Sequence, residues 1–102
     1  MSTIYRDPIV IPSAGTDSPG VDVAYADSFT IYAPAALTGT ISIQVSPNNE
    51  DWFNLQDAGV DINIGVNEAI TVTVSSVLFV RLHSSMTEAA DRSFEITISE
   101  SW

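Results

Sequence analysis

The one histidine of the chain, His83, is the first place to look for acid–base chemistry, because imidazole alone titrates near neutrality. It follows Arg81 by two residues in Phe79-Val80-Arg81-Leu82-His83, on the polar side of an alternating run. A Ser-His-Asp device shares that base with a nucleophile, and no serine here has a Gly-x-Ser-x-Gly setting. His83 therefore reads as an ordinary strand residue. Transition metals want several His or Cys ligands, and one histidine with no cysteine does not supply them. Hard oxygen donors do cluster, at Asn48, Asn49, Glu50 and Asp51 and again at Asp57, Asp61 and Asn63. Calcium is the one metal they could hold, yet neither cluster has the central glycine and distal glutamate of an EF-hand loop. Asn and Asp are also ordinary turn residues. The scattered glycines form no phosphate loop, and paired carboxylates for glycoside hydrolysis need a cleft for which a chain this short has little room. The expectation is a non-enzymatic protein without a cofactor.

Charge narrows the partners. Thirteen acidic residues face three arginines and no lysine, a formal net charge of −10. Binding a phosphate backbone or an anionic bilayer needs clustered cations, so neither nucleic acid nor membrane is expected as a partner. Acid excess favours solubility, mutual repulsion, or docking onto a basic surface. No apolar run approaches the ~20 residues that span a bilayer. Residues 1–6 lack the apolar core of a secretory signal, so the chain is expected to be made and used without export.

The elements that position these residues follow a period of two. Phe29 and Ile31, then Ile41, Ile43 and Val45, then Ile70, Val72 and Val74 alternate with polar neighbours. Leu78, Val80 and Leu82, then Phe94, Ile96 and Ile98 do the same. Alternation gives each strand one face for a core and one for water. Weaker strands are expected at residues 9–11, 21–25, 52–55 and 61–64, with Pro, Gly and Asn turns between the runs. The fold class is all-β, a single antiparallel β-sandwich or jelly-roll-like domain. The only local helix candidate is residues 86–92.

Residues 1–20 carry Pro8, Pro12 and Pro19 and read as an N-terminal arm, or an edge strand and linker, ahead of a sandwich domain over residues 21–102. Ile9, Val10 and Ile11 need burial, either at the edge of their own domain or in a neighbouring subunit. Trp52 and Phe53 are adjacent, so a strand sends them to opposite faces and one is expected in the core. Candidate interface residues are Ile4, Tyr5, Ile9, Val10, Ile11, Trp52, Phe53, Arg81 and Trp102. Structural packing is the plain alternative for each aromatic, and an intrachain ion pair with Glu95 is the alternative for Arg81.

The segment Ile43-Gln44-Val45-Ser46-Pro47-Asn48-Asn49-Glu50-Asp51-Trp52-Phe53-Asn54-Leu55, with the later Phe79-Val80-Arg81-Leu82-His83-Ser84-Ser85, resembles small β-sandwich virion proteins of tailed bacteriophages. The similarity is greatest to capsid decoration, or cement, proteins, and it covers about half of the chain. It implies a protein on the capsid exterior, produced in the host cytoplasm, whose partners are the major capsid protein and its own copies, often as a trimer. A carbohydrate- or receptor-binding module of a phage tail or fibre is the competing reading, since exposed aromatics would serve it equally.

Overall fold

A computed structural model describes residues 2–24, 26–73 and 79–100, with only the backbone at residues 2 and 5. Eleven strands are seen among the described residues: β1 (Ser2–Ile11), β2 (Val21–Asp22), β3 (Ala26–Tyr32), β4 (Ile41–Ser46), β5 (Phe53–Asn54) and β6 (Gln56–Asp57), followed by β7 (Val60–Asp61), β8 (Asn63–Ile64), β9 (Ala69–Thr73), β10 (Phe79–Ser84) and β11 (Arg92–Glu100). One sheet has the order β1-β11-β3-β9 and the other β2-β10-β4-β5, with β8 also on β4 and β6 paired to β7. All pairings are antiparallel. With the short β6–β8 set aside as one connection, the main strands in chain order read 1-8-3-6 in one layer and 2-7-4-5 in the other. Apart from the β4–β5 pair, successive strands thus cross between layers, which is the double-sheet arrangement of a jelly roll. The chain is an all-β sandwich.

The alternation decides the core. Phe29 and Ile31 of β3, Ile41 and Ile43 of β4, Val80 and Leu82 of β10, and Phe94, Ile96 and Ile98 of β11 all lie buried between the layers. Most are β-branched or aromatic, the types that fit a pleated, half-covered surface.

Of the two readings of residues 1–20, arm or edge strand, the described residues show the edge strand, β1. Three expectations are corrected here: Ile9 and Ile11 as interface residues, a helix over residues 86–92, and one of Trp52 and Phe53 in the core. β1 pairs with β11 from Ser2 to Ile11, and Ile9 and Ile11 are 2% and 0% exposed in the core of their own domain. Both are therefore spent inside the chain and are not interface residues. Residues 86–92 form no helix, because Glu88 is drawn into the interior by partners outside its own segment. Neither Trp52 nor Phe53 enters the core: β5 is a two-residue edge strand, Trp52 precedes it half-buried, and Phe53 is 59% exposed. The expected strand residues Tyr25, Val74 and Leu78 lie outside the described residues.

Candidate contact surface

Register brings the polar residues of the second sheet into one row. Arg81 lies opposite Gln44, and Gln44 opposite Asn54, so their side chains share the outer face across β10, β4 and β5. Arg81 Nε donates to Gln44 Oε1 at 2.8 Å, Gln44 Nε2 to Asn54 Oδ1 at 3.0 Å, and Asn54 Nδ2 to Asp61 Oδ2 at 3.0 Å. Gln56 Nε2 donates to the other oxygen of Asp61 at 2.8 Å. Two amides thus carry a donor-to-acceptor chain from a cation to an anion, and each bond fixes the orientation of the next.

The row is anchored at its other end by the linker. Ser18 exchanges bonds with Leu82: its N–H donates to the Leu82 carbonyl at 3.0 Å, and its Oγ accepts from the Leu82 N–H at 2.9 Å. Ser84 N–H donates to the Thr16 carbonyl at 2.7 Å. Residues 16–18 therefore run beside β10 and put Asp17 against its outer face. Asp17 Oδ1 is 2.5 Å from His83 Nδ1 and 3.9 Å from an Arg81 nitrogen. The intrachain alternative for Arg81 is the one seen, with Asp17 and Gln44 in place of Glu95, which belongs to β11 in the opposite layer.

Trp52 covers this row. The Arg81 guanidinium carbon sits 4.5 Å from the centre of its ring, within the range of a cation–π contact. The linker passes close by: a Cβ on Gly20 would fall 2.0 Å from Asn49 Oδ1 and 3.0 Å from two atoms of the Trp52 ring. Only glycine allows that approach. The Pro47–Asp51 turn below is self-contained, since Asn48 Oδ1 accepts from the N–H groups of Glu50 and Asp51 and Asn48 Nδ2 donates to Asp51. The Asn48 amide oxygen and one Asp51 carboxylate oxygen are thus engaged within the turn, and in the second acidic cluster Asp61 accepts through both oxygens.

At one end of the sandwich lies a buried carboxylate that sequence reading passed over. Glu88 is 1% exposed. Its oxygens accept from Thr38 N–H (2.8 Å), Gly39 N–H (2.9 Å), Ser84 Oγ (2.7 Å) and Arg92 Nε (2.8 Å). Burial pushes its pKa up, but the bonds from Ser84, the Thr38 and Gly39 backbone and Arg92 outweigh it and hold the carboxyl at about 2 against an ordinary 4.5. Its own backbone pairs with Ala14 and Gly15. One residue thus ties together the linker, the loop before β4 and the loop before β11. The only signal for it in the sequence was the i,i+4 spacing of Glu88 and Arg92, which suggests a helix.

Of the sequence-derived interface residues, Trp52 and Arg81 are in contact on the outer face of the second sheet, while Phe53, opposite Val45, falls on the other face from Asn54 at the β5 edge. Ile4 and Val10 are half-buried on β1, where Ile4 lies opposite Ile98 and Val10 opposite Ser93. The Tyr5 side chain and Trp102 lie outside the described residues. Apolar surface concentrates past β4, where Phe53 at 59% and Val60 at 68% are the most exposed large apolar residues described.

No protein-family model and no curated protein sequence matches the chain. Solved structures do share its fold. The crystal structure of the SPBc2 prophage-derived protein YomS is similar over 95% of this chain and 90% of that one, with a TM-score of 0.60 at 12% identity. The Yersinia pseudotuberculosis-derived mitogen is similar over 98% of this chain and 85% of its own, with a TM-score of 0.51 at 5% identity.

Proposed function

We propose that this chain is a non-enzymatic structural protein of a tailed-phage virion, which decorates the mature capsid by binding the lattice of the major capsid protein. The observation that supports the reading best is the likeness of its fold, along nearly the whole chain, to that of a prophage-derived protein. The sequence resemblance to decoration proteins points the same way. Jelly rolls also serve as lectin domains, so the fold alone does not choose between lattice and sugar. The aromatic surface does favour one. A sugar-stacking platform needs a bare ring, whereas Trp52 carries Arg81 over its face and the linker at its edge. Phe53 beside it is exposed at a sheet edge, as an anchor for a protein partner would be.

Binding of this kind stabilises whichever capsid state presents the lattice, by mass action. The acidic outer surface keeps decorated particles apart. Self-association, as a trimer, is part of the proposal. The test mixes purified protein with capsids assembled from the major capsid protein of the same genome. Saturable co-sedimentation and a raised capsid melting temperature are expected, with Phe53→Asp losing both while its own melting temperature holds. Protein that ignores capsids but binds a glycan array would overturn the reading.

A further inference from the structure

The two outer strands of the first sheet are treated very differently. β1 carries Arg6, Asp7 and Pro8 together with a register shift between Arg6 and Ile9. Charge, proline and a bulge are the usual means of keeping an exposed sheet edge from pairing. β9, at the opposite edge, is Ala69-Ile70-Thr71-Val72-Thr73: no charge, no proline, no shift. In a chain with thirteen acidic residues, that omission is specific.

The register says which groups β9 offers. Tyr32 faces Ala69, and one step further Ala33 N–H donates to the Glu68 carbonyl at 2.8 Å. Antiparallel pairs alternate between bonded and non-bonded, so Ile70 and Val72 exchange bonds with Ile31 and Phe29. Ala69, Thr71 and Thr73 consequently aim their N–H and C=O groups away from β3. Among the described residues nothing pairs with them.

Beside that edge runs a groove of about 440 Å³. Leu55 and Ile62 from the second layer and Ile70 and Val72 from β9 supply apolar walls, and Asp57 stands on the rim. Asp57 has no ion-pair partner among the described residues, whereas both oxygens of Asp61 are taken. The β6–β7 hairpin that carries Asp57 reverses at Ala58-Gly59, both with positive φ.

We infer that β9 and this groove receive an extended segment of a partner protein in which apolar residues alternate with lysine or arginine. The segment adds a fifth strand to the first sheet. Its backbone pairs with residues 69, 71 and 73, its apolar side chains enter between Leu55, Ile62, Ile70 and Val72, and a cation meets Asp57. Local charge selects this occupant over a second copy at this edge: β9 against β9 would bring two Asp57 rims together. The site is separate from Phe53, so it stands whether or not the partner belongs to a capsid.

The test uses the whole chain and two fluorescein-labelled peptides, one alternating valine with lysine and one alternating valine with glutamate. The lysine peptide is expected to bind saturably in physiological salt, and the glutamate peptide not at all. Amide exchange at residues 69, 71 and 73, followed by NMR, should slow about tenfold or more on binding. Asp57→Lys should weaken binding about fivefold or more by reversing the rim charge. Thr71→Pro, which removes a free N–H on an edge strand, should abolish it. Failure to bind, or binding that leaves those three amides unchanged, overturns the inference. So does edge protection that grows with protein concentration without peptide, which would identify a second copy as the occupant. If Thr71→Pro fails to fold, the Asp57 variant and the exchange data decide.

Discussion

The Arg81 guanidinium stacks on the Trp52 ring at 4.5 Å while its Nε donates to Gln44, so one side chain joins the aromatic cover to the amide row of the second sheet. The planar fork of arginine does both at once, and a lysine ammonium would not. A double-mutant cycle of Arg81→Ala and Trp52→Ala, measured by urea unfolding, should give a coupling of about 1 kcal/mol. Arg81→Lys should recover less than half of the loss. Additive single mutants would show that the stack contributes no energy of its own.

The linker's passage over Trp52 makes a second prediction. Gly20→Ala puts a methyl where Asn49 Oδ1 and the Trp52 ring already stand, and should cost about 1–2 kcal/mol. In the Trp52→Ala background part of that penalty should vanish, since one of the two obstacles is gone while Asn49 Oδ1 remains. An equal penalty in both backgrounds would place the clash elsewhere.

The core role of β1 predicts the outcome of truncation. Removing residues 1–11 takes away Ile9 and Ile11 and uncovers the whole length of β11. Losing even one buried isoleucine side chain costs about 2–5 kcal/mol, so the shortened chain should not fold at all. A truncated protein with native circular dichroism and a cooperative melt would restore the free-arm reading.

What sequence could convey was local. The alternation in β3, β4, β10 and β11 is printed in consecutive residues, because side-chain direction in a strand repeats every two positions. Layer order was not legible, since it depends on which distant strands pair. The Asp17–His83 contact spans 66 positions and exists only because the linker runs beside β10. Glu88 misled for a related reason: its spacing to Arg92 fits a helix, but the donors that bury it come from residues 38, 39 and 84. Trp52 and Phe53 escaped the period-two rule because β5 is too short to enforce it.

The Ala58-Gly59 turn between β6 and β7 holds an alanine at φ 52 and a glycine at φ 82. Both central residues of such a hairpin loop need positive φ, and Asn-Gly is the preferred pair. An alanine there carries strain of about 1 kcal/mol that asparagine tolerates better. Ala58→Asn should raise stability by about 0.5–1 kcal/mol, read as a shift in the denaturant midpoint at unchanged slope. A lower midpoint would mean that the turn is not formed as described.

Glu88 sets how stability responds to acid. Its folded pKa, about 2, lies below the ordinary 4.5, so the ionised form is the one the fold favours. The stabilisation is fully present above about 4.5 and is lost as pH falls from there toward about 2. The shift corresponds to about 3 kcal/mol, carried by a side chain with almost no solvent exposure. Glu88→Gln keeps the shape but removes the charge that Arg92 and two backbone N–H groups face, and its amide nitrogen would oppose one of those donors. At pH 7 the variant should be less stable by about 3 kcal/mol. Unfolding both proteins from pH 7 down to pH ~2 isolates the residue, because every other carboxylate titrates in each and cancels in the difference. That difference should hold steady to about pH 5 and shrink below it; curves that stay parallel down to pH ~2 would rule out Glu88 as the source of acid sensitivity.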